Sequence, residues 1–268
     1  MSATTLQLRQ ILFLLCALCG LSGCGQVEPV RNAKQLHAVE YGQRAVRAFQ
    51  LGNYETAENL YQQALRRDVE IENIDGIAVN TLNLARVNRI LGRTARAHAY
   101  LDALLQDDAL QYAPVYLATA ATEKAALYLQ ANDLAAAESW LGKAEASCGD
   151  DCPLRGVIAN IRSAIVLGNG DAVSSLAWGE RAAAVNRNTS RLEYANSLRL
   201  LAAANLALGH FENARSQLNE ALDLDKSLGL PLKIREDLLL LARLHDALGQ
   251  PQQAKRYQER AARLLPAR

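Results

Sequence analysis

One small pattern recurs six times along this 268-residue chain, and its spacing constrains the fold more than any single motif. Each copy opens on Gly or Asn, carries a ring or aliphatic residue two positions later in its sharper versions, and a small residue five positions later. The first three read Gly52-Asn53-Tyr54…Ala57…Tyr61…Ala64-Leu65, Gly92…Ala97…Leu101, and Asn132-Asp133-Leu134…Ala137…Leu141…Ala144. A weaker copy, Gly170…Ser175…Ala182, precedes Gly209-His210-Phe211…Ala214…Leu218…Ala221-Leu222 and Gly249…Ala254…Ala261. The intervals are 40 (52 to 92), 40 (92 to 132), 38 (132 to 170), 39 (170 to 209) and 40 (209 to 249). A period this even means stacked units, each too small to bury its apolar face alone. The expectation is a solenoid whose product is a surface for a partner.

Seven residues before each opening Gly or Asn stands another small residue: Ala45, Ala85, Ala125, Ser163, Ala202 and Ala242. Two small marks flanking one turn predict two antiparallel helices crossing closely, with Leu60, Leu101, Leu141 and Leu218 filling the groove between them. The turn needs Gly or Asn because the residue closing the first helix takes positive φ. Pro114, Pro153, Pro231 and Pro251 fall at or just inside expected helix starts, where a missing N–H costs least. No strand-like alternation appears, so the fold class is all-α.

Gly52-Asn53-Tyr54-x-x-Ala57-x-x-x-Tyr61-x-x-Ala64-Leu65 resembles the tetratricopeptide repeat (TPR), and Leu208-Gly209-His210-Phe211-x-x-Ala214 resembles it again. Pro266 falls where that repeat often ends in Pro. The family period is about thirty-four, so this chain is similar to a longer variety with extended helices. The resemblance covers roughly residues 36 to 266 and is weakest in the fourth repeat, with Ser175 for Ala and Gly179 where a large residue belongs. It implies a right-handed superhelical solenoid of about six TPR-like hairpins over 36–268, a concave groove for peptides or helices, and no catalysis.

The first residues read as an address. Residues 11–21 form a short apolar run preceded by Arg9, too short to span a bilayer comfortably. It ends at Leu21-Ser22-Gly23-Cys24, which resembles a bacterial lipobox. That resemblance implies a signal peptide over 1–23, acylation of Cys24, and a lipidated tether over 24–35. Gly25 stands where an Asp would imply retention at the inner membrane, so the implied destination is the outer membrane, facing the periplasm. The alternatives are an ordinary cleaved leader with a chance Cys, or a Gram-positive surface lipoprotein.

Without residues 1–23 the charge count is 28 basic against 28 acidic, since the leader holds one Arg and no acid. A balanced surface lacks the basic stripe that nucleic acid requires. Cys148 and Cys152 flank a four-residue step between repeats three and four, and an oxidising compartment favours a disulfide there; free thiols and a metal site are the alternatives. His37, His98, His210 and His245 stand apart from one another, and no nucleophile–base, metal-ligand or cofactor motif is present. Gly168-Asn169-Gly170-Asp171 lacks the Lys of a phosphate loop and the Glu of a calcium loop, and reads as the turn of repeat four.

In arrays of the resembled family the first helix of each hairpin faces the groove. Counting along those helices sets Asn83, Arg86 and Arg89 of repeat two, then Asn160, Asn196, Arg199 and Arg243, on or near that face. Asn both donates to and accepts from a peptide backbone, and Arg forks onto a carboxylate. The bland alternative is the solvated side of amphipathic helices. The function expected is an envelope scaffold that binds a protein partner, resembling repeat lipoproteins of secretion, pilus or peptidoglycan assembly. Two alternatives are a groove carrier of a small apolar or glycan ligand, and self-association through the apolar last repeat, Leu238–Leu241 with Leu264-Leu265.

Overall fold

The structure is a computed structural model that describes residues 33–149 and 152–264. The expected leader and Cys24 lie outside them. Twelve helices are described: α1 (Ala33–Gln50), α2 (Tyr54–Val69), α3 (Ile74–Ile90), α4 (Thr94–Leu105), α5 (Pro114–Gln130) and α6 (Leu134–Cys148), then α7 (Arg155–Gly168), α8 (Ala172–Thr189), α9 (Arg191–Ala207), α10 (Phe211–Leu228), α11 (Pro231–Ala247) and α12 (Pro251–Ala262). They pair in order as six hairpins. Helix α1 begins three residues before the repeat boundary expected at 36.

The six recurrent residues make the six hairpin turns. Gly52, Gly92, Asn132, Gly170, Gly209 and Gly249 all have left-handed backbones, with φ between 58° and 88°. In each, the next residue's amide reaches back five positions, as in Asn53 N–H to Ala48 O at 2.9 Å and Gln250 N–H to His245 O at 2.8 Å. This satisfies carbonyls that the ending helix leaves orphaned. Asp133 and Asp171 then cap the following helices, accepting from the amides of Ala136 (3.0 Å) and Ser174 (2.9 Å).

The small residues meet where expected. Ala45 and Ala57, Ala85 and Ala97, Ala125 and Ala137, Ala202 and Ala214, and Ala242 and Ala254 are all buried at their crossings. In repeat four Ser163 and Ser175 replace the two alanines. The Ser163 hydroxyl donates to the Ser175 carbonyl at 2.8 Å, so two buried polar groups sit where alanines sit elsewhere. Gly179 is equally explained: a Cβ there would lie 2.9 Å from Leu201 Cδ2, because a leucine of the next hairpin already occupies the space. Pro114, Pro231 and Pro251 open their helices, whereas Pro153 stands two residues before α7 in a turn.

Successive hairpins dock through α2 on α3, α4 on α5, and so on to α10 on α11. The first helices also approach one another closely, α3 to α5, α5 to α7, α7 to α9 and α9 to α11, whereas among the described residues no two second helices come as close; α2 and α4 meet only through long side chains, Arg96 on Glu58 at 3.2 Å and Gln62 on Tyr100 at 3.5 Å. The row of first helices therefore follows the shorter, inner arc of the array. Cys148 and Cys152 are bonded at the corner between hairpins three and four, with Cα atoms 5.0 Å apart. The leucines of the last repeat are core: Leu238, Leu241 and Leu244 are buried against Leu218, Leu222 and Ala261, and Leu239 and Leu240 pack onto them. Leu239, Leu240 and Leu264 stay half-buried, and Leu265 lies outside the described residues.

Candidate functional site

The inner wall runs along α3, α5, α7, α9 and α11, and its polar residues divide into two groups. On α3, Arg86 and Arg89 stand one turn apart and converge on Glu123 of α5. Arg86 Nε donates to Glu123 Oε1 at 2.6 Å, and Arg89 Nε lies 3.5 Å from Oε2. Glu123 is largely buried, while 41% of the Arg86 side chain and 33% of the Arg89 side chain stay exposed. Arg86 is anchored by the hydrogen bond from its Nε, Arg89 is held by the ion pair alone because its buried Nε makes no hydrogen bond, and the Nη groups of both make no hydrogen bond among the described residues. Two cations on one anion leave a local charge of +1.

The electrostatics agree with the geometry. Glu123 raises the pKa of the Arg86 guanidinium above its ordinary value, and Glu193, three hairpins further on, acts in the same direction. The inner wall thus brings hairpins two and five within electrostatic reach. Burial opposes the charged form of Glu123, but Arg86 and Arg89 outweigh it and hold the carboxyl below its ordinary range. Asn83, one turn before Arg86, is half-buried and makes no hydrogen bond among the described residues. Arg243, on α11, is exposed and likewise unbonded there.

The second group bonds within the fold, and burial of Asn160 and Arg199 corrects the expectation for those two residues, while Asn196 stays half-buried. Asn160 is buried; its amide donates to the Glu193 carbonyl (3.2 Å) and carboxylate (3.1 Å), and its oxygen accepts from Ser197 Oγ at 2.8 Å. Asn196 donates to Glu193 at 3.1 Å and accepts from Arg199. Arg199 is buried, and one of its terminal nitrogens bonds both Asp225 and Asp237, the latter at 3.0 Å. Asn160 and Arg199 therefore tie hairpins four, five and six together and present no free group to a partner.

Register arithmetic carries a signal for this that residue type conceals. Asn160 and Arg199 each stand ten positions before their turn residue, the register of Leu82 and Thr122 in repeats two and three, and all four are buried. The carboxylates Glu123, Glu193, Asp225 and Asp237 escaped sequence reasoning, since an acidic residue on a helix reads as a solvated face. Glu123 does share a register with Asn83, nine before the turn.

Other features are structural. Trp140 lies on α6 between Lys124 and Lys143, with 4.5 Å and 3.9 Å from the cations to the ring centre. Trp178 lies on α8 against Arg181 at 4.6 Å, beside a hollow of about 320 Å³ that includes the Cys148–Cys152 bond. Neither ring is on a first helix. His98 packs on Tyr128 and His245 stacks on Tyr257, so the histidines remain apart. Among the described residues no cluster of metal-ligating side chains occurs, and no helix is long and apolar enough to cross a membrane.

Comparison with known proteins agrees with this architecture. The tetratricopeptide repeat family model matches residues 238–267, the last hairpin. No curated protein sequence matches the chain. Among solved structures, the apo form of the quorum sensor NprR from B. thuringiensis superposes with a TM-score of 0.64 at 17% identity, over 85% of this chain and 65% of that one. Cut9 in the APC/C hetero-tetramer Cut9-Hcn1 gives 0.59 at 13% identity, over 86% of this chain and 43% of that one. PilF of Pseudomonas aeruginosa gives 0.52 at 19% identity, over 88% and 95%. The chain thus spans less than two thirds of NprR and less than half of Cut9. Taken together, these likenesses establish an all-α, TPR-like solenoid of paired helices.

Proposed function

We propose that this chain is a lipid-anchored periplasmic scaffold, acylated at Cys24 and held at the outer membrane, whose inner wall captures a protein partner in envelope assembly. The observation that carries the binding half is the pair Arg86 and Arg89, anchored by Glu123 with their outer donors unbonded and about a third or more of each side chain exposed. Anchored guanidiniums lose little further freedom on binding, which favours a partner with carboxylate groups. Asn83 and Arg243 extend the same wall. The likeness to Cut9, which is held in a complex with Hcn1, fits a fold that grips another chain.

The address half rests on sequence: the apolar run, Leu21-Ser22-Gly23-Cys24 and the following Gly25. A Cys148–Cys152 bond suits the same oxidising compartment. A carrier of apolar or glycan ligands is the weaker reading, because both tryptophans lie on second helices.

Crosslinking in native envelopes followed by pull-down tests the binding half. Arg86→Glu with Arg89→Glu should abolish capture while the helical circular dichroism stays unchanged; equal capture by the double variant removes binding from this wall. Cys24→Ser should release the protein from the membrane fraction, and unchanged fractionation would discard the anchor.

A further inference from the structure

The junction between hairpins five and six holds an arrangement that partner binding leaves unexplained. Asp225 near the end of α10 and Asp237 on α11 are both fully buried, and both bond the same nitrogen of Arg199 on α9. One guanidinium thus faces two carboxyl groups in a site closed to water. Their far oxygens, Asp225 Oδ1 and Asp237 Oδ2, are buried and accept no hydrogen bond among the described residues. Two full negative charges beside one positive charge are not sustained in such a site, and neither are two orphaned acceptors. A single proton between the carboxyl groups removes both difficulties, since the protonated acid donates to its neighbour.

The surrounding groups do not offer another remedy. From α9, Asn196 turns its oxygen to Arg199, adding an acceptor rather than a donor. On α11 itself, Glu236 lies 3.7 Å from Arg199 Nε, half-exposed and paired with Lys233 at 2.8 Å. From α12 the residues packed into this hairpin's core are Ala254, Tyr257 and Ala261. From α10, Asp225 is the facing charge.

We propose that Asp225 and Asp237 share one proton, and that its loss to solvent unlatches the sixth hairpin from the fifth. Burial pushes the Asp237 carboxyl up to about 7; Arg199 opposes that push and Asp225 adds to it, which brings the transfer within the neutral range. The sign follows from linkage. A carboxyl whose folded pKa lies above its unfolded one binds its proton better in the folded state. The stabilisation is complete below the unfolded value, and is lost as pH rises through about 7. The device is independent of the proposed groove ligand, because Arg86 and Arg89 take no part in it.

Amide hydrogen exchange on the whole chain, corrected for intrinsic rates, tests the latch between pH 5 and 9. Protection of α11 and α12 should fall by up to about tenfold per pH unit, the limit for one proton, as pH rises from 5 towards 7, and level off above it, while α5 and α6 stay level throughout. Asp237→Asn keeps the shape and a permanent donor, so protection of α11 and α12 should become level as well. Asp225→Asn should do the same, and either amide suffices if the other variant loses the hairpin. A level profile in the unaltered protein, or the same fall in an amide variant that keeps the hairpin, overturns the proposal.

Discussion

The second hairpin and the last two use the same chemistry in opposite proportions. On α3 two arginines share one carboxylate, and on α9 one arginine holds two. The first cluster keeps its cations half in water and its excess charge positive. The second is sealed, and its excess of acid must be met by a proton. The two arrangements teach that an arginine on a first helix of this array is not one kind of residue. Its register decides whether it faces the inner arc, as Arg86 does six positions before its turn, or the hairpin junction, as Arg199 does ten before. Exposure then decides whether the charge is available or locked.

The sharpest way to break this contrast is to remove Arg199. Arg199→Ala leaves two carboxyl groups buried without a cation, and the loss should be about 3–5 kcal/mol, seen as a lowered midpoint of urea unfolding. Arg86→Ala removes a half-exposed member of a pair, where about 0–1 kcal/mol is expected because solvent already screens it. Equal losses for the two would show that burial does not separate the clusters. The junction should also unfold first in the Arg199 variant, so early loss of protection in α11 and α12 is part of the expectation.

A smaller effect should be shared by both halves. Whatever their polar residues do, hairpins two and five cross through the same contact of small residues, with Ala97 and Ala214 fully buried. Leucine at either position forces the helices apart and should cost about 1–3 kcal/mol, by about the same amount in each, measured by thermal or urea melts. A cost at Ala214 but none at Ala97 would mean that the halves differ in backbone packing as well as in charge.

These crossings were also what the sequence displayed best. Gly52, Gly92, Asn132, Gly170, Gly209 and Gly249 are legible because a left-handed backbone excludes most other residues. The alanines are legible because close helix approach excludes large ones. No such exclusion acts on the clusters. An arginine and an aspartate on a helix look alike whether solvated or sealed, and their fate depends on a helix 26 or 38 residues away, as Arg199 depends on Asp225 and Asp237. Residue type alone therefore points Asn160 and Arg199 to the groove, although Leu82 and Thr122 in the same register mark it as core. Glu123 is hidden in the sequence for the same reason, although it is what pairs Arg86 with Arg89.

Glu123 also supplies the finest test, because its pH response should have the opposite sign to that of Asp237. Arg86 and Arg89 hold its folded pKa below the ordinary carboxylate value of about 4.3, so its contribution is present above that value and is lost as pH falls through the folded one. The α3–α5 junction should therefore loosen on the acid side and the α10–α11 junction on the alkaline side. Exchange by α3 and α5 amides, followed between pH 5 and 3, should rise in the unaltered protein more than in Glu123→Gln. The difference should be no more than a few-fold, since Arg86 is half in water and exposed pairs contribute only about 0–1 kcal/mol. At neutral pH the same variant should lose partner capture before it loses stability, because its arginines keep their charge but lose the anchor that aims them. An identical acid response in both proteins would mean that Glu123 neither steadies the junction nor aims the arginines through its charge, and the contrast between an open and a sealed cluster would then rest on Arg199 alone.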